Sequence, residues 1–242
     1  MLRICAHQPE LWPLPRLLAK WAAVDVLVLL DIVHFNRASL QHRCRLLHQT
    51  KTSSEERWLT IPFQHVGHPQ QIRVVEPANT TWPKYHANQI REWYREADPK
   101  RLRAISDWYK GETPRSPDAI QSIAIHAWHS MTKLAALCDL DLPPVILASA
   151  LIPPEGGWGQ KSDLVLNICK AMKADRYLAG VRGSQYLDYA AFERAGVSIE
   201  VQAFAHPPGM LGRSQAELSA LHTYLTEGPD AVRVAVQKRG GT

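Results

Sequence analysis

His7 and Asp31 are the first residues along the chain that could do chemistry together. His7 follows a short apolar run, Leu2 to Ala6, and Asp31 ends a second one, Asp25 to Leu30. If the runs are neighbouring parallel strands, an imidazole and a carboxylate arrive at strand carboxyl ends, where open α/β sheets bind ligands. There the imidazole can act as general base on an attacking amine, and the carboxylate can orient it or hold a substrate ammonium. The plainer alternative is a histidine bonded to a loop carbonyl and an aspartate capping the following turn. Cys5 lies two residues before His7, on the same face of a strand. A thiolate–imidazolium pair would serve an acyl-enzyme mechanism. The alternative is a buried strand thiol.

A second constellation is Arg43 and Arg45, again at strand spacing. Two adjacent guanidiniums repel unless an anion lies between them, and their forks match phosphate or carboxylate oxygens. The alternative is two surface arginines on an edge strand. Lys20, Lys84 and Lys161 could add to an anion site. Lys161 leads into a predicted helix N-terminus, which already favours negative charge.

Other signals are weaker. His126 and His129 are one helical turn apart, and His65 and His68 share a loop. Metal sites need three or four convergent ligands, and no acidic or thiol companion stands nearby in sequence, so no metal is expected. Ser149 lacks the flanking glycines of a nucleophile elbow. Neither a phosphate-binding loop of the G-x-x-x-x-G-K-[ST] type nor a G-x-G-x-x-G turn is present.

These side chains need a scaffold. Leu2 to Ala6 predicts a strand, Pro9, Pro13 and Pro15 a loop, Arg16 to Val24 a helix and Asp25 to Leu30 a second strand, together a βαβ unit. Residues 40–47, 57–63 and 70–76 predict an antiparallel excursion. Helices are predicted over 82–94, with Thr81 as cap, over 100–109, and over 117–138, with Ser116 as cap. Strands at 144–149, 175–179 and 197–203 alternate with helices at 162–174 and 186–195, and helices at 215–226 and 229–237 follow. The expectation is one α/β domain over residues 1–242: a mostly parallel sheet with helices on both faces and the antiparallel excursion near residues 40–76.

The 242 residues carry a net charge of +5 and are 45% hydrophobic, enough for a packed core. A dedicated nucleic-acid binder clusters its basic residues more densely, so nucleic acid is not the expected partner. Four cysteines without a C-x-x-C pair suit a reducing compartment. The opening residues carry no long apolar segment and no stretch is long enough to span a membrane, so a cytoplasmic protein is expected.

Several short stretches, in order, resemble the WbqC-like family of bacterial glycan gene clusters. They are Ala6-His7-Gln8-Pro9 with Trp12-Pro13, then Lys20, then Asp25 to Asp31. Phe35, Arg37 and His42-Arg43-Cys44-Arg45 follow, then Trp58-Leu59-Thr60-Ile61-Pro62. Tyr177-Leu178-Ala179-Gly180, Tyr186-Leu187-Asp188, Leu218-Ser219 and Glu227-Gly228-Pro229 complete the set. Departures also occur: His42 stands where the family usually has Asn, His34 replaces Gln, and His222 and Thr226 replace Asp and Asn. The resemblance adds Gln8 and Tyr186 to the candidate substrate-binding residues. It implies a transferase of O-antigen or natural-product biosynthesis, and acyl or aminoacyl transfer to an amine is the preferred reaction. No tightly bound cofactor is expected. The donor would be an acyl thioester on coenzyme A or an acidic carrier protein, and the acceptor a small-molecule amine. Two alternatives stand beside it: a nucleotidyl-transfer-like enzyme with a degenerate motif, and a non-catalytic assembly partner.

Overall fold

The computed structural model describes residues 1–49, 53–65, 67–113, 121–203 and 218–237. Its centre is a five-stranded parallel sheet of β1 (Arg3–His7), β2 (Val26–Leu29), β5 (Val145–Leu147), β6 (Arg176–Ala179) and β7 (Ser198–Val201), in the order β5-β2-β1-β6-β7. Between β2 and β5 the chain inserts an antiparallel hairpin, β3 (Arg43–Gln49) and β4 (Ser54–Thr60). The α/β expectation and the antiparallel excursion are both borne out.

Strand alternation sorts the core into two layers. Cys5, Leu27, Leu29 and Leu178 face one way, onto Leu17, Leu18 and Trp21 of α1 (Pro15–Ala22) and Met131 and Leu134 of α4 (Ile123–Leu137). Ile4, Ala6, Val28 and Ala179 face the other way, onto Val165 and Ile168 of α5 (Ser162–Ala171). The sheet is thus apolar on both faces, as parallel sheets with crossover helices must be. The remaining helices are α2 (Trp82–Trp93), α3 (Pro99–Gly111), α6 (Val181–Ser184), α7 (Tyr189–Arg194), α8 (Ala220–Thr226) and α9 (Pro229–Gln237). No helix among the described residues is long and apolar enough to cross a membrane.

Local chemistry moves several boundaries. The strand expected at 70–76 is a 3-10 turn, Ile72–Val74, because the N–H groups of Ile72 and Arg73 are taken by the carbonyls of Val33 and Asp31. The helix expected at 186–195 begins only at Tyr189, where the Asp188 carboxylate caps it by accepting from the Ala191 N–H, and a separate short helix, Val181–Ser184, precedes it. Thr81 does not cap α2 with its side chain; Asn79 Oδ1 accepts from the Trp82 N–H instead. The Ser116 cap and the start predicted for α4 at Pro117 lie outside the described residues.

Candidate functional site

The chain lays β1, β2 and β5 outward to one side of the sheet, then returns to add β6 and β7 on the other. The reversal puts the topological switch point between β1 and β6, the crevice in which such sheets bind ligands. Here the two strands part. The β1–β2 pairing runs from Ile4↔Val26 to His7↔Leu29, whereas β1 and β6 pair only at Arg3↔Arg176 and Ile4↔Tyr177. The Arg3 and His7 carbonyls bond the N–H groups of Asp25 and Leu30, on the β2 side. Carbonyls alternate along a strand, so that of Ala6 faces the parting.

Lys20 fills that need. Its position on α1 turns it inward, and its Nζ donates to the Ala6 carbonyl at 3.2 Å and stands 6.0 Å from the centre of the Tyr177 ring. The residue is 4% exposed. Burial holds its pKa below the usual lysine range, partly offset by Cys5 and Glu10. An ammonium has three N–H donors, and among the described residues one acceptor is present. The amine therefore keeps N–H groups that a ligand oxygen could accept from.

His7 ends β1 and Glu10 lies in the loop that follows, buried. His7 Nδ1 lies 2.8 Å from the Gln8 carbonyl. A carbonyl only accepts, so Nδ1 carries the proton, and in the neutral ring Nε2 holds the lone pair. Nε2 is 4.0 Å from Glu10 Oε1. Burial and the neighbouring Lys20 push His7 down to about 3, against the Gln8 hydrogen bond. The imidazole therefore presents a proton acceptor at any physiological pH. Burial pushes Glu10 up, although its Oε2 accepts from the Leu14 N–H at 3.0 Å and Arg16 and Lys20 pull the other way. Glu10 was not singled out by the sequence reading; its burial within a proline-rich loop is a tertiary fact. Tyr177 and Tyr186 are neighbours, and burial raises both hydroxyls' pKa values, with Tyr186 itself adding to the shift at Tyr177.

A family model described as the WbqC-like protein family matches residues 8–234. The chain belongs to the WbqC-like family. No curated protein and no solved structure matches it.

The other candidate residues of this WbqC-like protein fall into separate groups. Gln8 reaches sideways: its Oε1 accepts from Gln41 Nε2 at 2.9 Å, and Gln41 Oε1 accepts from the Asn36 N–H at 2.9 Å. Asp31 is buried, and its carboxylate binds Ser149 twice, accepting from the backbone N–H at 2.9 Å and from Oγ at 2.5 Å. It thus ties the exit of β2 to the exit of β5, and neither of these bonds reaches His7. Cys5 is sealed, and burial raises its thiol to about 11 despite Lys20 and Arg3, so its surroundings support the buried strand thiol.

Arg43 and Arg45 do share a face, but Trp58 lies between them, with ring-centre distances of 4.1 and 4.8 Å. Trp58 stands directly opposite Arg45 in the hairpin, so the indole face, together with the Glu56 carboxylate at 3.0 Å from Arg45, relieves the repulsion of the two guanidiniums without a bound ligand. Arg43 also donates to the Ala38 and Ser39 carbonyls and Arg45 to Glu56. Lys161 is exposed at the start of α5, and the next residue, Ser162, accepts from the Asp188 N–H at 2.8 Å, joining that helix start to the segment carrying Tyr186. The structure therefore brings His7 and Lys20 to the β1–β6 parting, sets Tyr186 within electrostatic reach of Tyr177, and leaves Asp31, Arg43 and Arg45 in other contacts.

Among the described residues no group of three or more His, Cys, Asp and Glu is placed to hold a metal ion. His126 and His129 have an acidic companion that sequence distance concealed, Glu112 at the end of α3, with Nδ1–oxygen distances of 2.5 and 3.1 Å.

Proposed function

We propose that this WbqC-like protein transfers an acyl or aminoacyl group from a thioester to the amine of a sugar or natural-product intermediate, with the β1–β6 parting as its active site. The observation that carries the reading is the buried Lys20 ammonium beside an imidazole whose Nε2 is held as proton acceptor. The amine nitrogen attacks the thioester carbonyl; the carbon–nitrogen bond forms as the carbonyl π electrons move to oxygen. Lys20 stabilises that oxyanion with N–H donors in a site shielded from water. His7 Nε2 takes the proton from the attacking nitrogen and returns it to the departing sulfur as the carbon–sulfur bond breaks. The oxyanion as it forms, or a substrate carboxylate, near Lys20 would also offset the charge that depresses His7 and so strengthen the base.

The test is to incubate the purified protein with amino-sugar nucleotides and free amino sugars and a panel of acyl and aminoacyl thioesters. Amide product that requires both His7 and Lys20 supports the reading. Absence of product with every donor counts against it.

One observation favours a second reading, nucleotidyl transfer. The strand order, with β1 central and the switch point beside it, is the layout of mononucleotide-binding sheets. Against it, Trp12-Pro13-Leu14-Pro15 occupies the loop that would cradle phosphates, and the Trp12 ring is buried with its Nε1 donating to Tyr109 Oη at 2.7 Å. A rise in melting temperature with ATP or CTP that Lys20→Met abolishes would favour this reading over acyl transfer.

A further inference from the structure

Beyond the carboxyl end of β2, a cavity of about 380 Å³ is lined by residues 35–37 on one side and by residues 63–65 and 67–70 on the other. Its size is at the lower end of small-molecule pockets. The loops are clasped by single bridges, His34↔Gln71 and Phe63↔Pro77, and by the Phe35 N–H donating to the Gln70 carbonyl at 2.8 Å. The cavity is therefore a formed feature of the fold.

Its walls are of two kinds. Phe35 and Phe63 meet edge to face, ring centres 4.7 Å apart at 64°, and each is only partly buried, so ring surface is left for a third planar group. Behind them the buried His42 ring packs against both, at 5.1 and 5.3 Å, and its Nδ1 has no hydrogen-bond partner among the described residues. Burial, with Arg43 adding to it, pushes His42 down to about 4, so the backing wall is uncharged at neutral pH. The rim is different. Arg37, His65 and His68 line the opening, and among the described residues no aspartate or glutamate does. Among the described residues Arg37 makes no hydrogen bond or ion pair. An exposed guanidinium lining the same cavity as a partly exposed aromatic pair, with no ion-pair partner among the described residues, suits a flat ring that carries an anionic group.

We propose that this cavity binds a nucleoside phosphate, its base against Phe35 and Phe63 and its phosphate on Arg37. The site lies apart from the β1–β6 parting but is connected to it: Gln41, 1% exposed, bonds Gln8 on one side and the Asn36 backbone on the other. Asn36 is part of the cavity wall. The base would be held by stacking, and side-chain amides of Asn36, Gln64 and Gln70 are present to bond its edge. The proposal needs no turnover and is independent of the acyl-transfer reading.

Calorimetric titration of the full chain with UMP and AMP, and with uridine, benzoate and inorganic phosphate as controls, tests it. A nucleoside monophosphate should bind, at least tenfold more tightly than uridine or inorganic phosphate. Arg37→Gln changes an exposed side chain outside the core and should weaken the nucleotide at least tenfold with the melting temperature unchanged. Phe35→Leu should weaken nucleotide and nucleoside together, whereas Lys20→Met should leave this binding intact. No binding of either nucleotide would overturn the proposal. So would equal affinity for phosphate alone, tighter binding of benzoate, or nucleotide binding lost in Lys20→Met and kept in Arg37→Gln.

Discussion

The ammonium of Lys20 donates to the carbonyl of Ala6 at the point where β1 leaves β6. A backbone acceptor that a longer strand pairing would have used is instead satisfied by a side chain, and the cost is a buried positive charge. Buried charges are expensive unless paired. Lys20→Met, similar in length and apolar, removes the buried charge but orphans the Ala6 carbonyl, so the two effects should nearly cancel and leave the melting temperature within a few degrees of the wild type, while thioester turnover falls at least a hundredfold. Lys20→Arg, too bulky for the buried position, should lower the melting temperature. Thermal melts and the acyl-transfer assay check both; a Met variant with full turnover would remove Lys20 from the mechanism.

His7 should respond to the same substitution. Its imidazole is held at about 3 by burial first and Lys20 second. Without the ammonium the larger Coulombic part of that depression disappears, Arg16 supplying the rest, so the His7 ring in Lys20→Met should titrate at a higher pH than in the wild type. Ring-proton chemical shifts across pH measure this directly, with His7→Asn used for assignment. His7→Asn itself should cost 10²–10⁴-fold in turnover, the usual range for loss of a general base, with the fold retained. An unmoved His7 titration would show that the two groups are not electrostatically coupled.

The thiols should be inert in the folded protein. All four cysteines are buried and free. Burial raises Cys5 to about 11, and Cys138 and Cys169 to about 12; Cys44 is pushed up further still. Since the thiolate is the reactive form, iodoacetamide at pH 7.5 should modify none of them within hours and should not inhibit turnover. Labelling should follow urea unfolding. Rapid inactivation traced by mass spectrometry to Cys5 would restore the covalent mechanism.

The elements that could be read from sequence were those with local periodicity. The first βαβ unit and α5 announce themselves through alternating or helical apolar spacing, and the hairpin through its polar middle. His7 at a strand end was equally legible, since a strand's end fixes where the next side chain emerges. Asp31 and the two arginines were not. Asp31 is claimed by Ser149, 118 residues away, and Arg43 and Arg45 by a tryptophan on the facing strand. Same-face spacing records which residues could meet a ligand, but a protein side chain can take the ligand's place, and only the cross-strand register says so. Glu10 and Glu112 were missed for the converse reason: each is ordinary in its own segment and acquires partners only when distant elements pack.

Glu112 makes the most direct test of that last point. It bridges His126 and His129 with its two oxygens, joining the end of α3 to α4. The Glu112 hydrogen bond raises His129 above its ordinary value, although partial burial opposes it. Burial pushes Glu112 up, but the bonds from the two imidazoles outweigh it and leave the carboxyl below its usual range. The signs then fix the window. The raised His129 stabilises fully below its ordinary value of 6.5, and that contribution is lost as pH rises through its folded value. The lowered Glu112 stabilises above its ordinary 4.5, and that contribution is lost as pH falls through its folded value. The bridge is therefore strongest between these two ordinary values. Wild-type stability alone would not reveal it, because burial holds His42, His86 and His222 at about 4 and costs stability as pH falls below 6.5. The difference between wild type and Glu112→Gln cancels that background. Melting curves should show the variant several degrees less stable near pH 5.5 and much closer to wild type near pH 9. A difference that stays constant from pH 5.5 to pH 9 would mean that the carboxylate acts as a hydrogen-bond acceptor alone and that no proton is shared across the α3–α4 contact.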